Sequence, residues 1–117
     1  MYMLDTNIFI YVRKNQPISV LTHLKKIAPS HLCMSSITFA ELMYGANKSQ
    51  YSIKNLALIK ELKLQVPVLA FDETAAELYG IIRTDLERRG ELIGSNDLLI
   101  AAHALSIGAV LITNIDF

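Results

Sequence analysis

Along this chain, short uninterrupted apolar runs alternate with longer stretches in which apolar residues recur every three or four positions. The short runs are Tyr2 to Leu4, His31 to Ser35 (through Leu32, Cys33 and Met34), Val66 to Phe71 and Ala109 to Thr113. Each is too brief to show a period of its own. Flanked by helical patterns, such runs read as buried strands. Pro67, which cannot donate to a ladder, predicts an edge position for the third of them.

The stretches between them read as helices. Asn7 to Lys14 carries Ile8, Phe9 and Val12 at helical spacing until Asn15, Gln16 and Pro17 break it. Ile18 to Ile27 sets Val20, Leu21, Leu24 and Ile27 against Lys25 and Lys26, an amphipathic pattern that Pro29 stops. A helix is expected from Thr38 through Phe39, Leu42 and Met43 to about Ala46. Another is expected over about Ser52 to Leu64, with Ile53, Leu56, Ile59, Leu62 and Leu64 on its apolar side. The longest, Glu73 to Arg89, has Asp72 as N-cap, acids early, Arg88 and Arg89 late, and Gly90 to end it. Gly94 and Ser95 open the last, about Asn96 to Ser106, and Gly108 closes it. Strands alternating with helices predict an α/β domain: a short parallel β-sheet sandwiched by helices, α/β/α. No repeat or linker divides the 117 residues, so one domain over 1–117 is expected.

In a parallel sheet, ligands gather at the carboxyl ends of the strands. Asp5 stands at such an end, just after Tyr2 to Leu4. Three other acids occupy comparable places: Glu41 and Asp97 in early turns of expected helices, and Asp116 after the last strand. Each has an ordinary explanation. Asp5 can cap the helix beginning at Asn7. Thr38 and Glu41 have the spacing of a capping box, the better local reading for Glu41. Asp97 suits the helix dipole, and Asp116 is an ordinary turn residue. Those explanations leave the joint placement unaccounted for. Carboxylates converging on one sheet edge raise one another's pKa unless a cation lies among them. An all-oxygen donor set favours Mg²⁺ or Mn²⁺ over zinc. Such an ion polarises a phosphoryl oxygen and acidifies a water for attack on it.

Composition changes this picture only a little. The apolar fraction of 52% excludes a disordered chain. No run approaches the length of a membrane span, and the N-terminus has no basic region followed by an apolar core. With the single Cys33, read as a small buried apolar residue, a cytoplasmic protein is expected. Eleven basic residues balance eleven acidic ones, which taken alone speaks against a nucleic-acid binder. Committing four acids to one pocket leaves seven against eleven and a surface of +4. Lys48, Arg83, Arg88 and Arg89 could follow a nucleic-acid backbone and Tyr44 and Tyr51 could stack on bases, but solvated faces and packing are the simpler readings. His103, among alanines, reads as a packed histidine.

The motifs together carry a resemblance. Met-Leu-Asp-Thr-Asn at 3–7, Ser-Ser-Ile-Thr-x-x-Glu-Leu-x-Tyr-Gly-Ala at 35–46, Ile-Gly-x-x-Asp-x-x-Ile-Ala-x-His-Ala at 93–104 and Thr-Asn at 113–114 occur in order over nearly the whole chain. The set resembles a PIN-domain ribonuclease and, more narrowly, the VapC toxins of bacterial toxin–antitoxin pairs. The resemblance implies a Mg²⁺- or Mn²⁺-dependent endoribonuclease that cuts single-stranded or looped RNA, often tRNA, inhibits translation and is neutralised by a cognate VapB-like antitoxin. It implies Asp5 and Asp97 as metal ligands, Glu41 and Asp116 acting on the metal directly or through water, and support from Thr6, Asn7, Ser36, Thr113 and Asn114. Thr6 would orient a water or a phosphate oxygen. In the family a longer segment separates the Thr-Asn pair from the acidic-Phe pair, and the chain continues; here only Ile115 separates Asn114 from Asp116. Either the loop is shortened or a C-terminal tail is missing. Apolar surface on the helices between 38 and 64 suits a homodimer and a groove for an antitoxin helix.

Two rival functions fit less well. An aspartyl-phosphate phosphatase of the haloacid dehalogenase type wants a second Asp two positions after Asp5, where Asn7 stands. The other is a non-catalytic, Mg²⁺-holding receiver-like or RNA-binding module; a receiver needs an acid after a mid-sheet strand, and none follows the second strand. Adding RNA with Mg²⁺ or with chelator separates that module from a nuclease, and a phosphoenzyme trapped with beryllium fluoride would mark the phosphatase.

Overall fold

The structure is a computed structural model, and it describes residues 1–9, 29–91 and 93–113. The helices expected between residues 10 and 28, and Asn114 and Asp116, lie outside the described residues. Strand β1 (Tyr2–Leu4) is followed by a helix, α1, described over 6–9. A short 3-10 turn (Pro29–His31) leads into β2 (Leu32–Ser35), then α2 (Ser36–Lys48) and α3 (Ser52–Gln65). Strand β3 (Val68–Leu69), α4 (Glu73–Arg88), α5 (Ser95–Ser106) and β4 (Val110–Ile112) complete the chain.

All four strands are parallel, in the order β3-β2-β1-β4. Met3 lies between Cys33 on one side and Leu111 on the other. The expected edge strand is indeed at an edge: the Met34 N–H donates to the Pro67 carbonyl at 3.0 Å, a role that uses Pro67 only as acceptor. The chain steps outward from β1 to β2 to β3 and then returns to the far side of β1. That reversal places the end of β1 at the sheet's topological switch point, where α/β folds leave a crevice.

Alternation along the strands divides the core in two. Leu4 and Met34 face Ile8, Phe9, Val66 and the half-buried Phe39, Leu42 and Leu62. Met3 and Cys33 face the opposite way, onto Ile100 and Ala104 of α5, with Ile37, Leu69 and Leu111 beside them. Helices on both faces make the expected α/β/α sandwich. Burial pushes the Cys33 thiol pKa upward, in keeping with a small apolar core residue.

Two local expectations are corrected. Helix α2 begins at Ser36 rather than Thr38, because Ser35 at the end of β2 is its N-cap and accepts the Ile37 N–H at 3.1 Å. Thr38 is therefore inside the helix and fully buried, and it forms no capping box with Glu41. In α3 the apolar side is not a buried face: Ile53 and Leu64 are each 86% exposed. Residues spaced by three fall roughly 60° short of a full turn at each step, so the apolar positions spread around the helix instead of forming one stripe. Elsewhere the punctuation matches. Asp72 accepts the Ala75 N–H at 3.0 Å as the N-cap of α4, and Gly90 takes φ +71° just past its end. Among the described residues, no helix is long and apolar enough to cross a membrane.

Candidate metal and nuclease site

The residue directly after β1 is Asp5, and it is built into the sheet. Its backbone N–H donates to the Ile112 carbonyl of β4 at 3.1 Å, so the strand geometry fixes its Cα. Only 7% of it is exposed. Its Oδ1 accepts the Ile8 N–H at 3.3 Å, so the expected capping of the first helix does occur. Capping does not satisfy the whole carboxylate. Burial raises the pKa of Asp5 above the ordinary 3.8; the backbone N–H groups of Ile8 and Asn7 pull it down, and the charges of Asp97 and then Glu41 push it up. Asp5 thus feels both other acids across the end of the sheet, although Glu41 lies 36 residues further along the chain and Asp97 56 beyond that.

Glu41 projects from the second turn of α2. Thr6 Oγ1 donates to its Oε1 at 2.5 Å, and Asn96 Nδ2 approaches its Oε2 at 3.4 Å. The expectation for Thr6 was contact with water or phosphate; in the structure its hydroxyl is engaged with Glu41. Asp97 lies in the first turn of α5 and is exposed, forming the open side of the site. Asn7 is exposed and supplies its backbone N–H to the surroundings of Asp5. Ser36 Oγ accepts the Phe71 N–H at 3.0 Å, which ties α2 to the segment after β3. Thr113, after β4, is exposed.

The donor chemistry suits a hard divalent cation. Three oxygen-donor side chains lie at the same end of the sheet, one of them buried and held by backbone N–H groups. The two ion pairs among the described residues, Arg83–Glu87 and Arg89–Asp85, run along α4 and include none of these acids. A buried carboxylate without a basic partner, beside two like charges, is stabilised by a cation. Among the described residues, no group of three acidic, His or Cys side chains is yet gathered tightly enough to enclose an ion. Glu41 is engaged with its donors Thr6 and Asn96.

Sequence reasoning missed Asn96, which reaches Glu41 across the helix pair. The available signal was a polar residue directly before Asp97 in a first turn. It also missed the partner of His103. His103 is 1% exposed, and its Nδ1 lies 2.7 Å from Ser35 Oγ. Burial lowers its pKa, offset in part by the charge of Asp72, so the ring is neutral near pH 7.

Comparison with known proteins follows the same outline. The family model described as PIN domain matches residues 2–114. The ribonuclease VapC2 of Haemophilus influenzae is 45% identical over 113 residues, 97% of this chain and 85% of that protein. The tRNA(fMet)-specific endonuclease VapC of Shigella flexneri is 43% identical over 113 residues, with the same shares covered, 97% and 85%. Among solved structures, DNA-bound VapBC from Salmonella typhimurium superposes with a TM-score of 0.89 at 42% identity, over 97% of this chain and 85% of that one. VapBC2 from Rickettsia felis, bound to a DNA fragment from its promoter, gives 0.87 at 38% identity, over 97% and 86%.

Proposed function

The chain belongs to the PIN-domain family, among the VapC ribonucleases of VapBC toxin–antitoxin systems, and from that membership we propose that it is an RNA-cleaving toxin working at the crevice of Asp5, Glu41 and Asp97. PIN-domain nucleases are metal-dependent. Here Asp5 and Asp97 hold the ion, Mg²⁺ or Mn²⁺, with Glu41 completing the set and Asp116 as a fourth acid. A divalent ion there supplies the positive charge that polarises a phosphoryl oxygen and acidifies a water. The chain's own residues do the rest. Asp5, fixed by β1 and β4, sets the position of the negative charge. Glu41, oriented by Thr6 and Asn96, is the base nearest the open side. Asp97, exposed at the rim, would hold the ion where an incoming phosphodiester can reach it. Asn7, Ser36, Thr113 and Asn114 support this frame.

The observation that carries this reading is the placing of Asp5, buried at the end of β1, near Asp97 and Glu41, with its pKa raised first by burial and then by those two charges, and with no basic side chain paired to it among the described residues. The substrate we propose is tRNA, as the name of the Shigella flexneri relative states for that protein, with arrest of translation as the outcome. A VapB-type antitoxin, possessed by the relatives crystallised as VapBC pairs, covers exposed apolar surface on α2 and α3, including Tyr44, Ile53 and Leu64. A second copy of the chain forms the toxin dimer.

The test is cleavage of a total tRNA pool by purified protein, with RNA ends mapped. Cuts at a defined position that require Mg²⁺ or Mn²⁺, stop with chelator and are lost in Asp5→Asn are the expected result. Equal cleavage by Asp5→Asn and wild type contradicts the assignment.

A further inference from the structure

Helices α2 and α5 carry Glu41 and Asp97, and they run antiparallel past each other. Two hydrogen bonds connect this pair. At one level Asn96 Nδ2 reaches Glu41 Oε2 at 3.4 Å; at the other, Ser35 Oγ and His103 Nδ1 lie 2.7 Å apart. Glu41 stands six residues beyond Ser35, and Asp97 six residues before His103. At about 1.5 Å of rise per residue, each acid is about 9 Å along its helix from the Ser35–His103 bond. The bond is thus a fixed reference from which both acids are measured.

The bond is also sealed. Ser35 is 0% exposed and His103 1%. Ser35 Oγ already accepts the Ile37 N–H, as the cap of α2. Its hydroxyl proton, buried with it, is satisfied when it is donated to His103 Nδ1, with the ring's own proton on Nε2. Phe71 packs edge-on against the His103 ring, centroids 5.6 Å apart at 82°, and its backbone N–H donates to Ser36 Oγ. Three segments, the end of β2 with the start of α2, the exit from β3, and the last turn of α5, therefore meet on one imidazole. An apolar side chain could fill that space. It could not take the Ser35 proton.

We propose that His103 is a positioning residue for the acid crevice: through its hydrogen bond to Ser35 it locks α2 against α5 and so sets the separation of Glu41 from Asp97. The proposal rests on the metal-site reading given above. Losing the lock leaves the core filled but lets the two helices slide, which loosens every ligand that depends on their register. The consequence is weaker ion binding without loss of fold.

The test is equilibrium Mn²⁺ binding by the full chain, followed by electron paramagnetic resonance, with circular dichroism to check folding. His103→Leu should raise the half-saturating Mn²⁺ concentration by ~10-fold, the scale of a support residue behind a metal ligand. His103→Asn, which returns a polar atom near the Nδ1 position, should recover most of that loss. A folded His103→Leu protein that binds Mn²⁺ like wild type overturns the proposal. If His103→Leu does not fold, Ser35→Ala, which removes the other half of the bond, decides: a folded Ser35→Ala protein with a comparable rise in the half-saturating Mn²⁺ concentration supports the lock, and one that binds Mn²⁺ like wild type overturns it. Asp5→Asn separates the two levels. Unchanged binding in Asp5→Asn overturns the metal site itself, whereas loss there with none in His103→Leu overturns the lock alone.

Discussion

Helices α5 and α3 are of similar length but opposite character. The 12-residue α5 buries Leu98, Ile100, Ala102, His103 and Ala104, while the 14-residue α3 buries none of its residues. Helix α5 carries Asn96 and Asp97 at its start and His103 in its last turn. Helix α3 carries no candidate ligand. Its N-cap, Tyr51, makes no side-chain capping bond, and it lies against α2, where Lys63 sits over the Phe39 ring, with the half-buried Leu62 packed near Val66 and Met34. The difference teaches where this fold needs fixed geometry. The helix that carries the proposed ligand Asp97 is pinned through the core, and the helix that carries Ile53 and Leu64 leaves them in solvent.

Substitutions on the two helices should therefore separate cleanly. The largest effect is expected at the start of α5: Asp97→Asn should cut RNA cleavage by ~100-fold or more, since even groups one step behind a metal ligand cost ~10–100-fold. A loss of that size from a surface change on α3, such as Ile53→Ala, would break the comparison. Next comes stability. Ile100→Ala, at a site 1% exposed in the α5 core, should cost ~2–5 kcal/mol in urea unfolding. Leu64→Ala, at 86% exposure on α3, should stay within about 0.5 kcal/mol. Equal costs at the two sites would mean that α3 is docked as firmly as α5.

A finer effect sharpens the contrast at the crevice itself. The fold raises the pKa of Asp5 above 3.8, so folding disfavours its ionised form. That destabilising contribution is absent below the unfolded value, grows as pH rises through the folded value, and is complete above it. Asp5→Asn removes it. Without added metal, the variant should melt higher than wild type at neutral pH, and the gain should disappear as pH falls toward 3.8. A lower melting temperature at neutral pH would mean that the cap to Ile8 outweighs the buried charge. For the same reason, Mn²⁺ binding should weaken on acidification at a higher pH than an ordinary aspartate would give.

Much of this was legible in the sequence. Short apolar runs between helical patterns give the parallel sheet, Pro67 gives the edge strand, and the acids at strand ends and first turns include Asp5, Glu41 and Asp97, which the fold brings to one end of the sheet. What was not legible depends on contacts between distant segments. The Thr38–Glu41 spacing matched a capping box, yet Ser35 started the helix two residues earlier and freed Glu41 to meet Thr6 and Asn96. His103 read as packed because its neighbours are alanines. It is packed, but its hydrogen-bond partner lies 68 residues away, which no local pattern shows. The apolar residues of α3 looked like a core face because a spacing of three resembles a helical turn, although its drift leaves Ile53 and Leu64 in solvent.

The central claim is that carboxylates from β1, α2 and α5 serve one divalent ion. An anomalous difference map from crystals grown with Mn²⁺ tests it most directly. The account predicts a single strong peak at the carboxyl end of β1, about 2.1 Å from carboxylate oxygens of Asp5 and Asp97 and facing Glu41. A Mn²⁺ peak elsewhere on the molecule, with this crevice holding only water, would contradict it.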